Sequence, residues 1–184
     1  MKKILSNPTV AMILAVIVVL GTMLISTKVD FGKKCDQTAE RFYTRLDGEV
    51  PIADRLREFC SAAESMVLLG QRYEVDDADD VYEQAEEVLS LLRQQSRKAG
   101  KIYDEYSDLL SDTFELESAL TRMNLSEEEQ SSYASAQHEA AEAKAAIDAS
   151  SYNPEVRSFL NLYQRFPTTL LAALTGVDMP QLFA

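Results

Sequence analysis

Histidine occurs once, cysteine twice and tryptophan never in these 184 residues. A single imidazole, His138, excludes the paired-histidine metal sites and leaves few groups that titrate near neutral pH. Two thiols, Cys35 and Cys60, are too few for a disulfide-built scaffold or for a multi-cysteine zinc motif. Six glycines and five prolines leave no room for a many-turned β architecture. Basic residues are also scarce: 18 Lys and Arg stand against 30 Asp and Glu, a net charge of −12. Beyond residue 28 the balance is 15 basic to 30 acidic, or −15. A surface of that sign repels phosphate, which excludes nucleic acid as a partner. The length suits one domain with a short appendage.

What is present begins with an apolar run. Residues 10–25 read VAMILAVIVVLGTMLI without a charge, and Thr9, Ser26 and Thr27 extend the uncharged stretch to nineteen residues. As a helix it spans ~28 Å, close to the ~30 Å hydrocarbon core of a bilayer. Asn7 before Pro8 suits an N-cap followed by proline at the first helical position. The expectation is a membrane anchor over residues 1–28, spanning at about 9–27 through Thr9, Val10, Ile13, Ile17, Leu20, Leu24 and Ile25, followed by a helical domain over 29–184. A cleaved signal peptide begins in the same way, with Lys2 and Lys3, but no small-x-small cleavage site follows the run. Cys35 follows Gly32-Lys33-Lys34 instead of an apolar lipobox. Lys2 and Lys3 precede the run while Lys28, Lys33, Lys34, Arg41 and Arg45 follow it, so the positive-inside count leans the domain towards the cytoplasm.

Between Pro51 and Pro154 there is no proline and only Gly70 and Gly100. Strong helix formers abound there, and four stretches carry apolar seams at alternating steps of three and four. The first continues from the anchor through Gly32, Cys35, Ala39, Phe42 and Leu46. The second runs Ile52, Leu56, Phe59, Ala63, Met66, Gly70. The third, from Val81 through Ala85, Val88, Leu92, Ala99, Ile102, Tyr106, Leu109, Leu116 and Leu120 to Met123, is broken only by Gln95 and Thr113. Its period of 3.5 predicts a coiled-coil-like rod over 77–122, ~69 Å long. The fourth opens with the capping box Ser126-Glu127-Glu128-Glu129 and continues Tyr133, Ala136, Ala140, Ala143, Ile147, alanines that permit close helix approach. Connections at 47–50, 71–76 and 124–125 are short, so consecutive helices are expected antiparallel. The fold class is all-α: an elongated antiparallel bundle continuous with the anchor.

The last segment, 152–184, differs. Pro154 either kinks the fourth helix or ends it, with Asn153 capping a new one. Tyr152-Asn153-x-x-Val156-Arg157, followed by Phe166-Pro167-Thr168-Thr169-Leu170-Leu171-Ala172 and then Gly176, resembles the C-terminal signature of the LemA family. There a YN-x-x-V-R segment precedes an F-P-x-N-L-I-A segment at the same spacing. Gln181-Leu182-Phe183 is similar to the family's aromatic ending, and an N-terminal membrane helix leading to an apolar turn with proline, here Val50-Pro51-Ile52, matches its layout. The resemblance implies a single-pass protein of the bacterial inner membrane with an elongated helical domain docked by its C-terminal segment. The family as a whole has no assigned reaction, so no catalytic activity, cofactor or metal is expected.

The chemistry-bearing residues agree with that expectation. In an EF-hand frame begun at Asp76 the sixth position is Val81 instead of glycine, and the acids at 76–80 suit the positive end of a helix dipole. His138 lies away from the seam, and no nucleophile is identifiable beside it. The tyrosines fall at core spacing, with hydroxyls reaching the rim. Cys35 and Cys60 stand fourteen before and eleven after a turn centred near Glu49 and are expected as two buried free thiols. The sequence therefore favours a membrane-anchored interaction or scaffold protein, with membrane-associated proteins as partners and homo-oligomers possible. The alternatives are a carboxylate- or metal-dependent enzyme subunit and a carrier of lipid or small ligands in the bundle interior.

Overall fold

A computed structural model describes residues 28–45, 48–163 and 176–184, together with Met12 and Thr22. Among the described residues every regular element is a helix. These are α1 over residues 28–40, α2 Ile52–Arg72, α3 Asp77–Arg93, α4 Ala99–Leu120, α5 Glu127–Asp148 and α6 Tyr152–Tyr163. No helix among them is long and apolar enough to cross a membrane. The expected anchor at 9–27 lies outside the described residues except for Met12 and Thr22.

The bundle is built round α2. It packs against α3, α4 and α5, and α3 packs on α4. Eleven of its 21 residues are buried, and they include Ala53, Ala62, Ala63 and Gly70, whose small size lets neighbours approach from several sides. The closest approach is at Gly70. A Cβ placed there would stand 2.8 Å from Leu116 Cδ1 and 2.9 Å from Ala78 Cβ. Antiparallel order follows from the ends: Arg72 of α2 meets Glu129 of α5 at 2.6 Å, and Lys101, early in α4, meets Glu87, late in α3, at 3.6 Å.

The expected 77–122 rod is two helices. α3 stops at Arg93 and α4 starts at Ala99, folding back on it. The stop is a Schellman motif: Ser96 N–H donates to Leu91 O and Gln95 N–H to Leu92 O, each at 3.1 Å, with Gln95 in the left-handed region at φ 48°. α2 ends in the same way. There Val75 N–H reaches Gly70 O at 3.0 Å, Glu74 N–H reaches Gln71 O at 3.3 Å, and Glu74 has φ 52°. Neither left-handed residue is the glycine or asparagine that usually announces such a stop. The seam nonetheless names the right burial, because both arms of the hairpin turn the same phase towards the core. From Val81 to Leu120 each of its members is buried except Gln95, and Thr113, which seemed to break it, is buried as well. Met123 is exposed.

The second and fourth seams are buried throughout. In α5 the capping box is formed in both directions, Ser126 Oγ accepting from Glu129 N–H and Glu129 Oε2 from Ser126 N–H. At α3 the N-terminal acids make no side-chain cap, so Asp77, Asp79 and Asp80 act on the helix dipole, and Asp79 also accepts from Gln71 Nε2 at 3.2 Å. In the first seam Cys35 and Phe42 are buried, Gly32 and Ala39 half-buried, and Leu46 lies outside the described residues.

Two consequences are measurable. Gly70→Ala gains about 1 kcal/mol of helix propensity but loses about 1–3 kcal/mol to overpacking against Ala78, whose Cβ is fixed to backbone. A lowered denaturant midpoint is the expected result. Glu74→Gly and Gln95→Gly each relieve a left-handed conformation that costs an L-residue about 1–2 kcal/mol, and each raises the midpoint.

Candidate functional site

Three features of the folded chain are candidates: the clasp that holds the C-terminal tail, the acidic end of the bundle and a groove between α4 and α5.

The clasp accounts for the first half of the family-like signature. α5 ends at Asp148, and a separate helix, α6, starts at Tyr152, so Pro154 stands in a first turn, where a missing N–H is harmless. Asn153 lies inside that turn and does not act as a cap. Its side chain instead brackets one residue of the tail, Nδ2 donating to Phe183 O at 2.6 Å and Oδ1 accepting from Phe183 N–H at 2.8 Å. Tyr152 Oη donates to Gln181 O at 2.9 Å. Phe183 is thereby pressed into the main core against Phe42 (5.6 Å between ring centroids), Tyr103 (5.2 Å) and Tyr106 (5.8 Å). Val156 is fully buried beneath, whereas Arg157 is exposed. Gly176 has φ 64°, a conformation that favours glycine. Phe166, Pro167, Leu170 and Ala172 lie outside the described residues, as do the expected spanning residues Thr9, Val10, Ile13, Ile17, Leu20, Leu24 and Ile25.

Beside the clasp, α1 and α6 share a small second core of Phe31, Cys35 and Phe159, with Tyr163 packed on it. Lys34 Nζ donates to Tyr163 Oη at 2.9 Å. Cys60 belongs to the main core, so the two thiols sit in different clusters, both free and buried. Burial, then the nearby Asp36, pushes Cys35 up to about 11; burial, then Glu64, pushes Cys60 up to about 12. Both are therefore protonated and unreactive near neutral pH.

The acidic end is formed by the α2–α3 and α4–α5 turns. Residues 63–85 and 110–137 hold thirteen acids and two bases, Arg72 and Arg122, a net of −11 out of the chain's −12. Burial and the facing charges of Asp80, Glu115, Asp108 and Asp77 raise the Asp112 carboxyl. Among the described residues no group of three or more His, Cys, Asp or Glu side chains is placed to hold a metal ion. His138 is exposed and pairs with Glu142 at 3.4 Å. One acid has a structural role here. Glu129 accepts from Tyr73 Oη at 2.7 Å, from Ser126 N–H at 3.0 Å and Oγ at 2.9 Å, and from Arg72 at 2.6 Å. These bonds, Tyr73 first, hold its carboxyl down at about 2.

The groove is legible only in the fold. α4 and α5 approach where Tyr133 Oη meets Glu117 O (3.3 Å) and Thr121 Oγ1 (3.4 Å), then diverge. The gap, ≈ 630 Å³, has Phe59 of α2 and Thr113 at its base. Phe114 is 69% exposed there, since no helix among the described residues covers that side of α4. The Thr113 hydroxyl is buried without a hydrogen bond, as is that of Tyr106, a state that costs about 1–3 kcal/mol per group. Tyr106 thus departs from the expectation that tyrosine hydroxyls reach the rim. Tyr82 departs in the other direction, being 48% exposed.

Compared with known proteins, the chain matches no family model, no curated protein and no solved structure.

Two outcomes test these sites. Phe183→Ala empties a core position and costs about 3–5 kcal/mol. Asn153→Ala, which leaves the Phe183 backbone unpaired, costs about 1–3 kcal/mol, and the double variant costs less than the sum in denaturant titrations. The folded carboxyl of Glu129 lies below its unfolded value near 4.5, so its stabilisation is complete above that pH and is lost as pH falls towards 2. Glu129→Gln accordingly flattens the fall of melting temperature with acidification between about pH 4.5 and 2.

Proposed function

We propose that the chain is a non-enzymatic, membrane-anchored interaction protein of the LemA type, held by a single N-terminal span at residues 9–27. It presents the acidic end of its bundle to membrane-associated partners. The observation that carries this reading is the distribution of charge along the bundle. α1, which follows the apolar run, joins at the end where Tyr43 Oη meets Ser96 O at 2.7 Å and Arg97 meets Asp36 at 2.5 Å. The −11 end is the opposite one, where Arg72 and Tyr73 meet Glu129. An anchored rod with that polarity turns its acids away from an anionic bilayer and offers them to cationic protein surfaces, where charge steers encounter. The charges that follow the run, Lys28, Lys33 and Lys34, suit the cytoplasmic face of a bacterial inner membrane. The Tyr152–Asn153 clasp on Phe183 supports the LemA likeness by giving its signature a physical task.

Two measurements test it. Full-length protein stays with membranes through alkaline carbonate extraction, whereas a chain lacking residues 1–27 is released. In-membrane crosslinking followed by mass spectrometry places partner contacts on residues 63–85 and 110–137. Replacing Asp76, Asp77, Asp79 and Asp80 by Asn weakens those crosslinks, and so does added salt. Carbonate release of the full chain, or crosslinks indifferent to the four substitutions, overturns the reading.

A further inference from the structure

We propose that the free end of the α1–α6 pair is a membrane foot, in which Lys28, Val29, Lys33, Lys34, Leu162 and Tyr163 sit in the headgroup layer of a bilayer rich in anionic phospholipid. The proposal rests on the N-terminal span proposed above and adds a second, non-spanning contact to it.

Position comes first. α6 runs back along α1: Glu155 pairs with Arg41 near the bundle, while Tyr163, 129 residues on from Lys34 in the chain, accepts a hydrogen bond from Lys34 Nζ at 2.9 Å. The Tyr163 ring lies 5.3 Å from that of Phe31. The tail returns to the same level, since a Cβ placed on Gly32 would stand 3.9 Å from Val177 Cγ2. Phe31 is four residues past Thr27, the end of the uncharged run, and residues 28–31 are helical. At the helical rise that distance is ~6 Å. The headgroup layer adds ~5–8 Å to each face of the ~30 Å hydrocarbon core, so α6 reaches its last described turn inside that layer.

The side chains at this end suit such a place. Val29 is 48% and Leu162 69% exposed, apolar groups that no element among the described residues covers. Tyr163 is half-buried, its ring packed on Phe31 and Phe159 and its hydroxyl bonded to a lysine. An aromatic with one apolar and one polar end belongs where hydrocarbon gives way to water.

Charge selects the lipid. Arg41, Arg57, Arg72, Arg97, Lys101 and Lys144 each meet a carboxylate. Lys28, Lys33, Lys34 and Arg157, on α1 and α6, do not; the other described bases without one, Arg45, Lys98 and Arg122, lie between helices. Residues 28–35, 156–163 and 176–179 hold four bases and two acids, a balance of +2 where the opposite end of the bundle carries −11. Lysines left unpaired in a chain with 30 acids find their counter-charge in phosphate oxygens of the leaflet, where each base is worth about fivefold in binding.

The test reconstitutes the full chain in vesicles and attaches an environment-sensitive fluorophore through Leu162→Cys, Cys35 and Cys60 being buried and therefore unlabelled. A matching label is carried by Glu128→Cys at the opposite end. Phospholipid with a nitroxide on its headgroup is expected to quench the label at 162 at least about fivefold more than the label at 128. Quenching at 162 is at least about twofold stronger in phosphatidylglycerol than in phosphatidylcholine vesicles, and Lys28→Gln with Lys33→Gln removes that preference while the melting temperature stays unchanged. Inorganic phosphate has no more effect than chloride at equal ionic strength. Equal quenching at 162 and 128, equal quenching in the two lipids, or loss of quenching with phosphate alone overturns the proposal. So does a label at 162 that is shielded from lipid nitroxide but quenched by a spin-labelled second copy, which assigns this end to a dimer. Carbonate extraction separates the two readings. A chain that resists it without quenching at 162 keeps the span and loses the foot, whereas one that carbonate releases, yet is quenched at 162 beforehand, keeps the foot and loses the span.

Discussion

Burial of α2 on several sides is the constraint on which the other elements depend. A helix that packs against three others cannot carry large side chains all round, because the axes would be held too far apart for close packing. Ala53, Ala62, Ala63 and Gly70 meet that requirement, and Gly70 brings α2 within contact distance of Ala78 and Leu116 together. The α3–α4 hairpin thus lies against one side of α2 and α5 against another. Since α3 and α4 occupy the first side as a pair, α4 and α5 are kept apart along most of their length. The groove is a consequence of the same geometry that makes α2 central.

That geometry also explains which features the sequence disclosed. The seams of α2 and α5 were fully legible, because each helix turns one continuous face to the core and each start is marked, by Pro51 or by the Ser126 capping box. The third seam named its buried residues correctly and its architecture wrongly. A hairpin whose arms both face α2 keeps its apolar phase across the turn, seven residues separating Leu92 from Ala99. A heptad pattern records which side is covered and nothing about whether the chain reverses. The reversal rests on Gln95 in a left-handed conformation, held by two backbone bonds that any residue could make. No residue type announces it.

The tail presents the opposite case. Tyr152 and Asn153 were recognisable as a pattern, yet their role was hidden because their partners are backbone atoms of Gln181 and Phe183, about thirty residues further on. Backbone partners leave no trace in side-chain identity. Phe183 is the visible half of the arrangement: a lone aromatic near the C-terminus, placed in the core among Phe42, Tyr103 and Tyr106. The bonds fix the tail's register, and burial of the ring supplies most of the stabilisation.

The acidic end and the groove are two different kinds of surface. Thirteen acids on two adjoining turns create a field that reaches about a Debye length, ~8 Å at physiological salt. Such a field discriminates by sign and little else. The groove offers apolar surface instead, with Glu117 held across it by the neutral Gln137 amide and Lys144 paired with Asp148 one helix turn on. Thr113 is the only buried hydroxyl at that slot among the described residues, and it stands where the seam would have accepted an aliphatic residue. Its oxygen is inaccessible as well as unpaired, so this polar member of the seam lowers stability inside the core without reaching the cleft beside it.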